Sequence, residues 1–583
     1  MKKLLLFGIL TFSLCTVRAQ SWVWARQGIP SSQDAAGELT SDRSLAIDPS
    51  GNIYVTGAFN DTMTFGSYVL GNYRGNSLCL DLVKYDSNGN VLWARQSVQA
   101  TKYCYAQGAT VAVDKAGYVY VAGQFCDTVT FGGITMRATG WNMFLAKYNS
   151  SGSVLWVKKF SSSGYLSTVG PASIATDAAG FVYLTGSYID SAFLGPYKVF
   201  SKHNAAYIAK FDSSGNIKWL QHSVAPNKDY TCAVWPSSMA LDKSANIYIT
   251  GRFADTITFG TYTLIASPML GSLEAYTVKY DSAGNVKWAS GSKMVGNNVT
   301  ASSWGRSIAI DGHGNPYITG LFIDTVSFDT FIMRSSGQGQ TYLVKYDNNN
   351  GKVIWGIQTH DLSSNNWWGY SVTADTLPKG GAYIAASAYE YSATSPYKVK
   401  IQNDTFQLAT TDKGVGILIH FDSASNVLQG TMFSEGGEDD GDAVMAVSSG
   451  RTVYMAGDIS GVGIAFGNDT LKPGSESPFL ARWSPFANNL TGINNIQETA
   501  QSVKLFPNPN NGKFTLEVKS EELITKSVVE IYNMVGEQIY CSSLSINNST
   551  FTIDIIGQPI GIYLYRVLSE TDNLISEGKF VIE

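Results

Sequence analysis

The sequence is poor in charge, in histidine and in cysteine. Charged residues make up 15% of the 583-residue chain, well under the ~25% of an average soluble protein. With 44% hydrophobic residues, that composition excludes a coiled coil and intrinsic disorder. Lys and Arg (41) nearly balance Asp and Glu (46), so neither nucleic acid nor an anionic membrane is implied as a partner. The five histidines, His203, His222, His313, His360 and His420, share no spacing, and no His-Glu-x-x-His or Cys-x-x-Cys pair occurs; a zinc site has no support. There is no P-loop, no dinucleotide fingerprint and no Gly-x-Ser-x-Gly elbow. Glycine (57 residues) and aromatics (12%) are plentiful, as pleated sheets joined by many turns require.

Residues 1–20 read as a secretory signal peptide: Lys2 and Lys3, an apolar run from Leu4 to Leu14, then small residues around Ala19. A lipid-attachment cysteine follows a small residue, whereas Cys15 follows Leu14. No later run is long and apolar enough to span a bilayer as a helix. Removing the leader leaves Cys79, Cys104, Cys126, Cys232 and Cys541. Export permits disulfides, and Cys104 and Cys126 flank one expected hairpin, so they are the candidate pair; burial of all five as small apolar side chains is the alternative.

A repeat fills most of the chain. Asn52-Ile-Tyr-Val-Thr-Gly57 recurs as Tyr118-Val-Tyr-Val-Ala-Gly123, Phe181-Val-Tyr-Leu-Thr-Gly186, Asn246-Ile-Tyr-Ile-Thr-Gly251 and Asn315-Pro-Tyr-Ile-Thr-Gly320, with looser copies at 381–386 and 452–457. The intervals run from 63 to 71 residues. Each unit carries four strand signals, a to d; in the first they lie at 44–48, 53–59, 80–86 and 91–96. The a–b and c–d turns, Asp48-Pro-Ser-Gly-Asn52 and Asp86-Ser-Asn-Gly-Asn90, suit tight hairpins. Seven such units predict an all-β fold, a seven-bladed β-propeller over 21–484. The seventh unit lacks strand d, and Trp22-Val-Trp-Ala-Arg-Gln27 matches Val91-Leu-Trp-Ala-Arg-Gln96. The N-terminal strand is therefore expected to close the ring. The strand-d tryptophans Trp24, Trp93, Trp156, Trp219, Trp288 and Trp355 are expected to pack between blades.

Asp61-Thr-Met-Thr-Phe-Gly66, Asp127-Thr-Val-Thr-Phe-Gly132, Asp255-Thr-Ile-Thr-Phe-Gly260 and the Lys-Tyr-Asp triplets at 84–86, 279–281 and 345–347 resemble the SBBP-type propeller repeat. That resemblance implies the fold and no shared catalytic residues. Residues 485–503 read as a polar linker. Beyond it, Phe506-Pro507-Asn508-Pro509, Gly512, the Glu530-Ile-Tyr-Asn-Met-Val-Gly run, Gly561-Ile-Tyr563-Leu-Tyr and the closing Lys579-Phe-Val-Ile-Glu583 resemble the C-terminal sorting domain of type IX secretion cargo. Strand signals across 504–583 predict a small Ig-like β-sandwich. The resemblance implies a Bacteroidota-type source, the type IX machinery as partner, passage through the periplasm, and a secreted or surface-attached product.

The long b–c and d–a loops share one face, and they carry the candidate ligand-binding aromatics: Tyr103, Tyr105, Trp141, Tyr165, Trp235, Trp304, Trp367 and Trp368. Exposed Trp and Tyr suit sugar rings or a protein partner; folding down to cap the blades is the other use of such rings. Asp114 and Asp212 sit in tight turns that need no ion. The acidic run with Glu435, Glu438, Asp439, Asp440 and Asp442 is the candidate calcium site, or a solvated loop. The c–d turns do not match the Ser-x-Asp-x-Gly-x-x-Trp box of sialidase-type propellers, and no acid pair is assignable. The expected function is non-catalytic glycan or protein binding at the cell exterior, without a cofactor; a polysaccharide hydrolase or lyase and a structural surface-layer component are the alternatives.

Overall fold

The computed structural model describes residues 21–30, 44–60, 62–71, 78–99, 105–162, 168–225, 233–267, 273–295, 301–335, 339–362, 366–375, 380–389, 397–408, 414–434, 444–447, 452–459, 464–466, 469–472, 477–484, 503–518, 527–533, 538–544, 550–568 and 574–583. The signal-peptide reading of 1–20 and all of the linker but its last residue lie outside them. Among the described residues every regular element is a strand, and no helix is long and apolar enough to cross a membrane.

Residues 21–484 form four-stranded antiparallel groups at the repeat period. The first is Ser44–Ile47, Ile53–Phe59, Cys79–Tyr85 and Val91–Gln96, hydrogen-bonded in that order. The same a-b-c-d order holds for the units at 106–162, 168–222, 233–291, 302–361 and 366–434. In the last unit Val444–Val447, Val453–Ile459 and Ser477–Ser484 are joined by Ser21–Gln27, which pairs antiparallel along Ser477–Ser484, from Ser21 opposite Ser484 to Gln27 opposite Phe479. Strand a of each unit touches strand a of the next, and Val444–Val447 touches Ser44–Ile47. One apolar cluster joins Ile53, Phe59 and Val83 of the first unit to Trp24, Tyr454 and Leu480 of the last.

The repeated residues have separate physical tasks. The a–b turn is built by its aspartate: Asp48 Oδ1 accepts the backbone N–H groups of Ser50 and Asn52 at 2.9 Å, while Gly51 takes φ +79°. The motif tyrosine closes the same turn, Tyr54 donating its hydroxyl to Asp48 Oδ2 at 3.0 Å. Burial, and then the Asp48 charge, push that phenol well above its ordinary range. The strand-d tryptophans join neighbouring units. Trp93 Nε1 donates to the Ser150 carbonyl at 3.0 Å, and Lys84 Nζ reaches the same oxygen at 3.4 Å. Trp156, Trp219, Trp288 and Trp355 reach Ser213, Ser282, Asn348 and Ser423 in the same way, 3.0–3.3 Å away. The following turn must pass beneath each ring; a Cβ on Gly152 would stand 3.0 Å from Trp93. The unit at 366–434 has Gln429 and His420 at the Trp and Lys positions. Its neighbour's strand d comes from the N-terminal segment, so no c–d turn exists there to receive an indole.

The Asp-Thr-x-Thr-Phe-Gly motif is a second hairpin inside the b–c connection, as in Thr128–Phe131 with Ile134–Arg137 and Thr256–Phe259 with Tyr262–Ile265. Asp127, Asp255 and Asp324 begin it with φ of 59°, 61° and 70°, a conformation that Asp tolerates better than most residues. Its Phe and middle apolar residue are buried (Phe131 and Val129, Phe259 and Ile257) and its threonines face outward. The connector leaving the preceding unit adds to it: Val98–Gln99 pairs with Thr128–Phe131, and Lys293–Met294 with Thr325–Phe328. Backbone hydrogen bonds thus stitch consecutive units on the long-connection face.

In the C-terminal segment, Val503–Phe506, Lys513–Val518 and Thr550–Asp554 form one sheet. Gln538–Leu544, Ser527–Asn533, Gly561–Leu568 and Leu574–Ile582 form another, in that order. Phe514, Leu516 and Ile553 of the first share an apolar core with Val529, Ile531, Tyr563, Val567 and Phe580 of the second. Asn508 Oδ1 accepts the Val581 N–H at 2.9 Å and Asn510 exchanges backbone bonds with Val581 and Glu583. These bonds tie the Phe506-Pro507-Asn508-Pro509 segment, with both prolines cis, to the last strand. Gly512 has φ +91°, which L side chains rarely adopt, and a Cβ there would stand a tight 3.0 Å from the Ile555 carbonyl. Tyr563 stacks on Phe580 with ring centres 5.6 Å apart.

Candidate binding face at the starts of the inner strands

Strand a carries the same bulge in the middle units. The register slips between Gly108 and Thr110, Pro171 and Ser173, Pro236 and Ser238, Gly305 and Ser307, and Gly369 and Ser371. In four of these units the motif glycine of strand b lies close against the bulge: a Cβ on Gly251 would fall 2.1 Å from the Trp235 carbonyl oxygen, and one on Gly320 1.9 Å from that of Trp304; the unit at 366–434 makes the same bulge with Ala386 at that place. A bulge re-aims the side chains beside it, here where strand a leaves the long d–a connection.

Trp235, Trp304 and Trp368 hold equivalent places two residues before the bulged residue. The corresponding residues at 106–113 and 168–176 are Gln107 and Gly170. Arg306 and Tyr370 occupy the bulge itself, where the other units have Ala109, Ala172 and Ser237. Arg252, opposite Trp235 in strand b, lies between units, its guanidinium 5.3 Å from the Trp235 ring centre and 4.1 Å from that of Trp304. Arg306 is 5.7 Å from Trp304, 5.6 Å from Trp368 and 5.2 Å from Tyr370. The result is an alternating aromatic and cationic ladder across three neighbouring units. Guanidinium groups are attracted to the negative ring faces. Burial, then the nearby Arg306 charge, lower the pKa of Arg252. The Trp304 indole N–H is buried without a hydrogen-bond partner among the described residues.

The structure brings together three of the expected aromatics, Trp235, Trp304 and Trp368, and corrects their setting: they stand on strands, half-buried, not on loops. Trp367 is corrected as a ligand residue, being fully buried with its indole N–H donated to Asp361 Oδ1 at 3.0 Å. Alternation along a strand sends adjacent residues to opposite faces, so Trp367 and Trp368 cannot share one role. Tyr105 and Trp141 form a separate pair with ring centres 6.0 Å apart, Trp141 being exposed. Tyr103, Tyr165 and Cys104 lie outside the described residues, as do Glu435, Glu438, Asp439, Asp440 and Asp442. Cys126 is described, and burial raises its thiol pKa. Among the described residues no cluster of three or more His, Cys, Asp or Glu is arranged to hold a metal. Arg252, Arg306 and Tyr370 were not singled out by sequence; superposing the repeats would have shown them as bulky residues at places other units fill with small or neutral ones. On the opposite face, a groove of about 440 Å³ lined by Asp114, Tyr118, Lys147 and Trp156 belongs to the inter-unit tie, since Lys147 and Trp156 both donate to Ser213 there.

Comparison with known proteins places two families on the chain. Residues 504–583 match the secretion system C-terminal sorting domain. Residues 23–58 match the β-propeller repeat SBBP, a span running from the N-terminal strand through strands a and b of the first unit. The chain therefore carries SBBP-type propeller repeats and a type IX sorting domain, which marks it for export to the cell surface or the medium. An uncharacterized WD repeat-containing protein of Acanthamoeba polyphaga mimivirus is 25% identical over 349 residues, covering 48% of this chain and 24% of that protein; the match thus spans about a quarter of the relative. Among solved structures, the polysaccharide lyase Uly1 is 9% identical, covering 79% of this chain and 97% of its own at a TM-score of 0.38. A protein of unknown function from Dyadobacter fermentans is also 9% identical, covering 79% and 99% at 0.33. These superpositions are loose and carry nothing about function.

Proposed function

We propose that the chain is an exported binding protein: a seven-bladed β-propeller, closed by its own N-terminal strand, that holds a glycan at the long-connection face without chemistry. The seven four-stranded groups, the pairing of Ser21–Gln27 with Ser477–Ser484 and the contact between Val444–Val447 and Ser44–Ile47 support the closed ring. The shared core of the two C-terminal sheets supports a sandwich that serves as export tag, reached through the periplasm.

One observation carries the binding reading. Trp235, Trp304 and Trp368 break the symmetry of the repeat at a place where Gln107 and Gly170 show that the scaffold needs no aromatic. Flat apolar rings with a polar edge, set on rigid strands, suit the faces of sugar rings. The reading assigns no cofactor and no catalytic pair. Glycan-array and pull-down assays on wild type, Trp235→Ala and Trp304→Ala test it: binding lost in both variants is expected, and undiminished binding in both overturns it. A protein captured in place of any glycan decides for protein adhesion.

A further inference from the structure

Resting on that glycan-binding reading, we propose that the ligand is an anionic polysaccharide, bearing carboxylate or sulfate groups, anchored by Arg252 between Trp235 and Trp304. The neighbouring interface shows what the fold alone requires. At the place equivalent to Arg252, the unit at 106–162 has Gln124, opposite Gln107, whose amide donates to the Val169 carbonyl of the next unit at 3.2 Å. A neutral side chain bonded to backbone therefore suffices to pack this joint. Arg252 instead keeps a half-buried positive charge there. Its contacts are two indole faces and the field of a second cation, Arg306, and no carboxylate lies within 4 Å of it among the described residues.

Holding a partly desolvated cation beside another cation is unfavourable unless an anion completes the site. Ring faces offset part of that cost and leave the planar N–H edge of the guanidinium for a carboxylate or sulfate, which it matches with paired hydrogen bonds. The rings beside it cover the apolar faces of the sugars carrying those groups. The ladder crosses three units, so it presents several subsites in a row, as a polymer requires. The chain itself carries net charge −5, so bulk attraction to a polyanion does not supply the binding.

The test is affinity electrophoresis of the full chain in gels containing polygalacturonate, dextran sulfate or neutral dextran, with wild type, Arg252→Gln, Arg252→Lys, Trp304→Ala and the surface control Lys218→Gln, all checked for an unchanged melting temperature. Retardation is expected with polygalacturonate, dextran sulfate or both, which separates the carboxylate from the sulfate source, and not with dextran. Retardation should weaken with added salt and fall about tenfold or more in Arg252→Gln. Lys218→Gln should match wild type. Should Arg252→Gln misfold, Arg252→Lys, which keeps the charge and loses the paired geometry, should still weaken binding. Equal retardation by neutral dextran, abolished in Trp304→Ala, would overturn the charge assignment and leave glycan binding standing. No retardation in any gel would overturn both. Equal losses in Arg252→Gln and Lys218→Gln would show that net charge, not this site, is responsible.

Discussion

The indole N–H of Trp288 donates to the carbonyl oxygen of Asn348 at 3.0 Å, across the joint between two sheets and 60 residues along the chain. The ring also stacks on Tyr346 of the next unit, with centres 6.3 Å apart. Trp288→Ala removes the ring and the bond together and should cost about 3–5 kcal/mol. Trp288→Phe should cost less, chiefly the hydrogen bond. Urea unfolding of the two variants measures the difference, and a Phe variant as unstable as the Ala variant would show that the bond, not the packing, dominates.

Gly251→Ala tests how the bulge sets the binding face. The new methyl would meet the Trp235 carbonyl, so the strands must shift. A destabilisation of about 1–3 kcal/mol is expected, together with weaker glycan binding, because Trp235 moves. Calorimetry for stability and affinity electrophoresis for binding separate the two effects.

Acid should loosen the c–d turns. Burial alone would raise the Asp281 pKa, but hydrogen bonds from Asn285 and Ala283, and the charge of Lys287, hold its carboxyl below the usual range. Asp86 and Asp212 are lowered in the same way by Asn90 and Asn216. A depressed folded-state pKa contributes stability that is present above the unfolded value, about 3.9, and is lost as pH falls through the folded value. Stability attributable to these turns should therefore hold at pH 5 and above and decline below about pH 4. Asp281→Asn should lower stability at pH 7 and shrink the acid-dependent loss, as thermal melts across pH 3–7 will show.

Removing residues 504–583 should leave a folded propeller inside the cell envelope. Fractionation of cells expressing the truncated chain measures this, and its normal appearance outside would refute the sorting role of that domain.

Much of the scaffold was legible because its periodicities are physically redundant. The repeated Asp, Tyr, Gly and Trp each answer a local demand: turn closure, close approach of two strands beside the bulge, a donor to the next sheet. The strand bounds of the first unit were readable to within one residue, since Asx-Gly turns punctuate them. The hairpin within Asp127-Thr-Val-Thr-Phe-Gly132 was visible as a motif but not as strands, because Thr128–Phe131 is only 4 residues long and one of its two partner strands comes from the preceding unit. The binding face was legible in its tryptophans and not in Arg252 or Arg306. An arginine on a strand reads as solvated surface, and only the fold sets Arg252 against Trp304 of a different sheet. Trp367 misled because adjacent tryptophans look alike in sequence, while the pleat buries one and leaves the other half-exposed.

Ser21–Gln27 pairs along Ser477–Ser484, and its Ala25 N–H donates to Asp469 Oδ2, 444 positions further along the chain. A strand synthesised first must then wait, unpaired, until nearly the whole repeat array has emerged. Assembly of this molecule is thus obligatorily late, and a chain interrupted anywhere along the array would display a sticky edge at both extremities.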